Sequence, residues 1–224
     1  MSVASRTGPE RSTYHHGALR EALVRAGLDL ARDSGADAIV LREATRRVGV
    51  SARAAYRHFA DRDALVLAVA QEALAEMAAW MARSQRGART AADLLQGVGE
   101  GYIAFALDEP GWFDVAVLAM PDMLSGATDG PGSAAGSPDG VAGGAADVDR
   151  SPCGMLLAAL AGLVREGALA PERLPEAAVT CWSGVHGFAV LASKGPLSRA
   201  PRAVIDDFAR RHVRALVTAV TSGR

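Results

Sequence analysis

The chain has 224 residues, a formal net charge of −1 and 50% hydrophobic residues, enough for one large or two modest globular domains. Two cysteines, Cys153 and Cys181, exclude a disulfide framework and a four-thiolate metal site. The near-neutral balance argues against a uniformly basic nucleic-acid coat, and no run approaches the ~18–20 apolar residues that span a bilayer.

Met1–Arg11 is polar and lacks the apolar core of a signal sequence, so a cytoplasmic protein with no membrane partner is expected, residues 1–12 forming a disordered tail. Leu19, Leu23, Ala26 and Leu30 recur at helical spacing, which predicts a first helix over Gly17–Ser34, stopped by Gly35. A short helical run, Arg42–Val48, ends at Gly49, which can take the left-handed backbone without a Cβ penalty. A second run starts after Ser51, whose hydroxyl can cap it. Ala44, Val48 and Val50 supply small apolar surface where two helices would cross steeply. This is the pattern of a helix-turn-helix, whose second helix can enter a DNA major groove. From Ala38 to Ala60 there are five arginines (Arg42, Arg46, Arg47, Arg53, Arg57) and one acid, Glu43, a local balance of +4 in a chain of −1. Phosphate neutralisation needs a local excess of this kind rather than a basic protein. An ordinary helical hairpin with a solvated arginine face is the alternative.

Asp61 precedes an apolar-rich run to about Ser84, lined by Leu65, Val69, Met77 and Trp80 and long enough to join the head to a second domain. Arg83–Arg89, with Gly87, reads as a loop. Thr90 opens a helix to about Leu107 with Leu94, Leu95, Val98, Tyr102 and Phe105 on its apolar face, and Gly97, Gly99 and Gly101 permit close packing or bending. Pro110 opens a short helix carrying Trp112, Phe113, Val117 and Leu118. Residues 125–152 hold seven glycines and three prolines, too little apolar surface to offset ordering entropy, and are expected as a flexible insertion. Helical patterns resume over Met155–Glu166, from Pro175 to about Ser193 and from Pro201 to Thr221. No strand alternation stands out, so the fold is all-α. Cys153 and Cys181 lie among apolar residues and are expected as buried thiols.

Three groups of residues carry the resemblance to a known family. Gly49-Val50-Ser51, Ala55-Tyr56-Arg57-His58-Phe59 and Asp61-Arg62-Asp63-Ala64-Leu65 resemble the N-terminal DNA-binding domain of TetR-family regulators. Tyr14-His15-His16-Gly17-Ala18-Leu19-Arg20 looks like the first-helix opening of one branch, and Trp182-Ser183-Gly184-Val185-His186-Gly187 like the Trp/His-Gly signature of that branch's C-terminal domain. The first resemblance covers about residues 14–70, the second diffusely about 90–220. The resemblance implies a helix-turn-helix domain at 13–62 and a helical ligand-binding and dimerisation domain at 63–224. One departure stands out. The family usually places Ser or Thr just before its second helix; here Ile39-Val40-Leu41 offers no hydroxyl until Thr45. A phosphate contact there must come from Arg42 or a backbone N–H.

The candidate DNA-contacting residues are Arg42, Thr45, Ser51, Ala52, Arg53, Ala54, Tyr56, Arg57, His58 and Arg62. Ser51–Ala54 sit where a recognition helix presents base-reading groups. A guanidinium can bond guanine O6 and N7 together, so Arg53 is a candidate for base readout, with a phosphate contact as its alternative. Tyr56 and His58 match family positions that grip phosphate; Arg57 does so or faces solvent; Phe59 is core. Arg62 meets phosphate or pairs with Asp61 or Asp63. Trp182 and His186, four residues apart, share a helical face. With Phe105, Trp112, Phe113, Met120 and Met123 they either wall a ligand pocket or pack as core. Gly184 and Gly187 beside Val185 and Phe188, together with Val204, Phe208, Val213, Leu216 and Val220, suggest a two-helix surface; in the family such helices form a dimer interface.

The function expected is a sequence-specific, ligand-responsive dimeric repressor on a palindromic double-stranded operator, with an unidentified small-molecule effector and no cofactor or metal. The alternatives are an activator or ligand-independent regulator of the same fold, a non-specific DNA-binding protein, and an enzyme using Cys181, Ser183 and His186. The last lacks a carboxylate near the histidine and any nucleophile turn.

Overall fold

The structure, a computed structural model, describes residues 15–120 and 150–222. The expected disordered tail and nearly all of the expected insertion, together with Met123, lie outside the described residues.

Helix α1 (His15–Ser34) buries Leu23, Val24, Ala26, Leu28 and Ala31 and stops at Gly35, whose φ is 66°. A one-turn helix, Ala36–Ala38, leads into α2 (Leu41–Val48) and α3 (Ala52–Ala55). Asp61 then caps α4 (Arg62–Ser84): its carboxylate accepts from the Ala64 N–H at 2.8 Å. α5 (Ala91–Asp108) opens with a reciprocal cap, Thr90 Oγ accepting from the Asp93 N–H and Asp93 accepting from the Thr90 N–H, both at 3.1 Å. α6 (Pro110–Val117) begins with proline in its first turn, where no amide donor is needed. After the undescribed residues come α7 (Pro152–Arg165), α8 (Leu174–Ser193) and α9 (Arg202–Thr221). Ser151 caps α7 through the Gly154 N–H at 3.0 Å, so this helix starts three residues before the expected Met155 and includes the last residue assigned to the insertion.

α4 is the spine. Its first half buries Leu65 and Val69 against α1; its second half buries Met77 and Met81 beneath α5 and α7. By length and composition it is the one described helix apolar enough to cross a membrane, contrary to the expectation from sequence. Eight of its side chains are buried by neighbouring helices, so its apolar surface is used inside this fold. The α5 glycines serve packing: a Cβ at Gly101 would lie 2.5 Å from the Met81 Cα. Leu94, expected on the inner face of α5, is instead 37% exposed. The described residues hold helices and turns only, as the absence of strand alternation implied.

Candidate nucleic-acid interface and ligand cavity

The helix-turn-helix is built by local rules. Val40, extended and without a side-chain cap, starts α2, so the missing hydroxyl is not replaced from elsewhere. Gly49 takes φ 75° and ψ 30°, and its N–H and that of Val50 both donate to the Thr45 carbonyl, at 2.9 and 3.0 Å. Ser51 Oγ accepts from the Ala54 N–H at 3.3 Å and opens α3, which lasts one turn before Tyr56-Arg57-His58. Ala55 and Phe59 anchor this segment in the core, and the Arg20 guanidinium lies over the Phe59 ring at 5.4 Å. That leaves Ser51, Ala52, Arg53, Tyr56 and Arg57 exposed, with Ala54 and His58 half-buried. Arg42 is exposed on the outer side of α2.

Two expected DNA contacts change role. Thr45 is buried, and its hydroxyl donates to the Arg42 carbonyl at 2.7 Å; a side chain on the inner face of α2 reaches no phosphate. Arg62 turns toward its own fold. Its Nε donates to the Ile39 carbonyl at 2.8 Å and its Nη2 to the Ala36 carbonyl at 2.9 Å, with Asp37 and Asp63 beside it at 4.0 and 3.8 Å. The guanidinium fork holds the turn that leads into α2. Asp61, engaged as a cap, is not its partner.

The arginines fall into two sets. Glu43 accepts from Arg46 Nε and Nη2 at 2.9 and 2.6 Å and stands 3.6 Å from Arg47. The hydrogen bonds and charge of Arg46, then the charge of Arg47, hold the Glu43 carboxyl below its usual range. The side chains of Arg42, Arg53 and Arg57 make no ion pair among the described residues.

In the body, an aromatic cluster forms across three helices. Tyr102 of α5 and His186 of α8 share a hydrogen bond, Oη to Nδ1, of 2.9 Å. Tyr102 also meets Phe113 and Trp182 edge-on, each at 5.6 Å, and Trp182 stacks on His186 at 6.4 Å. Burial raises the Tyr102 phenol above its usual range and lowers the His186 imidazolium below its own, so both are neutral near pH 7. Beside the cluster lies a cavity bounded by Met81, Gly99, Tyr102, Cys181, Trp182 and Leu216, among others, with no charged lining residue. The cavity has a volume of ≈ 30 Å³, room for about two waters.

A family model described as bacterial regulatory proteins, tetR family, matches residues 23–69, and one described as tetracyclin repressor-like, C-terminal domain, matches residues 95–216, over half the chain. The chain belongs to the TetR family. It is a DNA-binding transcription regulator by family. Similar solved structures include a protein with unknown function from Rhodococcus sp. RHA1, 24% identical, TM-score 0.66, covering 94% of this chain and 100% of that one. Others are a TetR variant from Acinetobacter baumannii AYE in complex with minocycline (18%, TM-score 0.58, 89% and 94% covered) and RolR in complex with resorcinol (16%, 0.57, 93% and 95%). At these identities the likeness speaks for the fold. Among curated proteins none matches the chain.

Of the expected pocket residues among those described in this TetR-family chain, only Trp182 lines the cavity. His186 and Phe113 stand behind it in the aromatic cluster, Phe105 is fully buried core, and Met120 is half-buried at the end of α6. Trp112 faces the other way: its Nε1 donates to the Leu28 carbonyl of α1 at 2.8 Å, and the Arg32 guanidinium lies over its ring at 4.5 Å. Arg32 in turn is held by Glu109 at 3.0 and 3.1 Å. Gly111 allows this contact, since a Cβ there would lie 2.1 Å from the Ala31 carbonyl oxygen. In the sequence Tyr102 is one more residue of an apolar helix face; its tie to His186, 84 residues away, leaves no sequence signal.

The expected dimer residues also divide. Val185 and Val220 are buried, and Leu216 packs on Gly184 and lines the cavity, so these three serve their own subunit. Phe188 is half-buried and stacks on His212 at 5.2 Å. Phe208 is 48% exposed, beside Val204 on α9 and with Val179, Val190 and Leu191 exposed on α8. A Cβ on Gly187 would meet nothing within 4 Å. Ser183 is exposed and donates to the Thr180 carbonyl, Cys181 is buried, and His186 is bonded to Tyr102, so the three form no nucleophile–base pair. Cys153, against expectation, is only half-buried at the start of α7. Among the described residues no group of three or more His, Cys, Asp or Glu side chains could hold a metal.

Proposed function

We propose that this chain is a cytoplasmic, homodimeric, ligand-responsive repressor acting on a palindromic operator, and not an enzyme. The observation that carries the reading is the position of α6. Adjacent residues on this one short helix face two systems: Trp112 grips α1 of the DNA-binding head, and Phe113 packs on the Tyr102–His186 cluster beside the cavity. Lys194 at the end of α8 pairs with Asp114 of α6 and ties the third side. Movement of the cluster is therefore mechanically joined to the head. An effector that favours one arrangement must shift operator affinity, and the operator must shift effector affinity by the same factor, a coupling of ~1–3 kcal/mol.

For the effector, the lining favours a neutral, largely apolar molecule, because an ion placed there would lose its hydration without gaining a partner. The complexes of the similar folds with minocycline and resorcinol support ligand binding as a mode of control. For the dimer, the exposed apolar side chains of α8 and α9 around Gly187 form a face that a second copy would cover, and a one-turn recognition helix reads too few base pairs alone. Arg42, Ser51, Ala52, Arg53, Ala54, Tyr56, Arg57 and His58 remain the proposed DNA contacts. A second reading, a ligand-independent regulator, is favoured by the cavity's size of about two waters.

Selection of bound duplexes from random fragments tests the central claim, with the bound species sized by sedimentation. An inverted repeat bound by two copies is the expected result. Enrichment of no sequence, or of an asymmetric site bound by one copy, refutes the dimeric reading. Screening of neutral small molecules for release of the selected duplex then separates the ligand-responsive from the ligand-independent regulator.

A further inference from the structure

The free cations of the head number fewer than its arginines. α2 turns Leu41, Ala44 and Thr45 inward and leaves Arg42, Glu43, Arg46 and Arg47 on its outer side. There Glu43 is placed one turn before two arginines and engages both, Arg46 bidentately. This is the acid that the arginine-rich stretch carries, and it sits within contact distance of two of its five cations. Opposite charges so close are screened only in part by salt, since they lie well inside the Debye length of about 8 Å at physiological ionic strength. For Arg46 or Arg47 to meet a phosphate it must first leave Glu43, or carry a carboxylate toward the phosphate with it.

We propose that Glu43 is a specificity-determining residue: it withholds Arg46 and Arg47 from indiscriminate phosphate contact, so that binding depends on Arg42, Arg53 and Arg57. Sequence-independent affinity comes from counterion release, and each phosphate neutralised steepens the salt dependence by about 0.9 in log–log slope. A head with two fewer available cations binds random DNA more weakly, while base contacts at the N-terminus of α3 are untouched. The ratio of specific to non-specific affinity rises as a result. The inference rests on DNA binding by the family fold and is independent of dimerisation and of any effector.

The test uses the full chain, its Glu43→Gln variant, a random-sequence 30-base-pair duplex and a duplex recovered by selection. Glu43→Gln is isosteric and removes only the charge. The variant should bind the random duplex several-fold more tightly, with a slope steeper by up to about 1.8 per head. The selected duplex should gain less, so the affinity ratio falls. Adding Arg46→Gln and Arg47→Gln to Glu43→Gln should return the random duplex to its original affinity. In the unaltered chain, Arg46→Gln should change that affinity less than Arg57→Gln does. An unchanged slope, an equal gain on both duplexes, or an Arg46→Gln loss as large as that of Arg57→Gln overturns the proposal. Should Glu43 serve only to stabilise α2, the variant will melt earlier while the slope stays the same. Failure of all variants and the parent to bind any duplex would instead refute DNA binding itself.

Discussion

The indole N–H of Trp112 donates to the carbonyl oxygen of Leu28 across 2.8 Å, joining α6 of the body to α1 of the head. The bond is shielded by the Arg32 guanidinium, itself fixed by Glu109. Trp112→Phe removes the donor while keeping an aromatic ring. The expected loss is about 1 kcal/mol of unfolding free energy, with the head melting ahead of the body once the tie is cut. Denaturant titration followed by circular dichroism would record this; an unchanged single transition would mean that packing alone joins the two parts.

Arg53 and Arg62 should respond in opposite ways. Arg53→Ala, at the exposed start of α3, is expected to relax base preference at one position per half-site and to cost about 1–3 kcal/mol of discrimination there. Uniform weakening on all sequences would make Arg53 a phosphate contact. Arg62→Lys keeps the charge but loses the fork on the Ile39 and Ala36 carbonyls, and should destabilise the fold by about 1–2 kcal/mol. Stability at the parent level with weaker DNA binding would restore Arg62 to the phosphate side.

Acid should loosen the aromatic cluster through His186. Its imidazolium is disfavoured by burial, so its folded pKa lies below the ordinary 6.5. The unfolded chain then takes up the proton first. Stability is full above about pH 6.5 and falls as pH drops from there through the folded value. His186→Gln should flatten the stability profile between pH 7 and 5 relative to the parent chain. Parallel profiles would assign the acid sensitivity to other groups.

Leu216 and Phe208, eight residues apart on α9 and both apolar, separate core from interface. Leu216→Asp places a charge against Gly184 and the cavity wall, and should cost several kcal/mol in each subunit at any concentration. Phe208→Glu alters a side chain that is 48% exposed and should leave the subunit folded. Sedimentation should show Phe208→Glu as a folded monomer with reduced operator affinity. A stable Phe208→Glu dimer would place the interface on another face.

The elements of this protein were legible because their signals are local. Gly49 can adopt φ 75° and Ser51, Asp61 and Thr90 can cap a following helix whatever surrounds them, so the helix-turn-helix and the helix starts follow from the residues at hand. The missing cap at Val40 was equally readable, since no hydroxyl stands near it. What only the tertiary structure decided is which neighbour each side chain meets. Val204, Phe208, Val213, Leu216 and Val220 are expected as one surface, yet α9 turns Val213 and Val220 inward and Val204 and Phe208 outward: at about 3.6 residues per turn Val213 lies half a turn round the helix from Val204, and the packing against α5 and α8 decides which of the two sides is buried. Thr45 lies on the inner side of α2 by the same rotation. The bonds of Tyr102 to His186 and of Trp112 to Leu28 each span 84 residues of sequence. They exist because helices distant in the chain are pressed together by their apolar faces, and the burial that drives this packing is not directional, so it specifies no partner until the whole core is assembled.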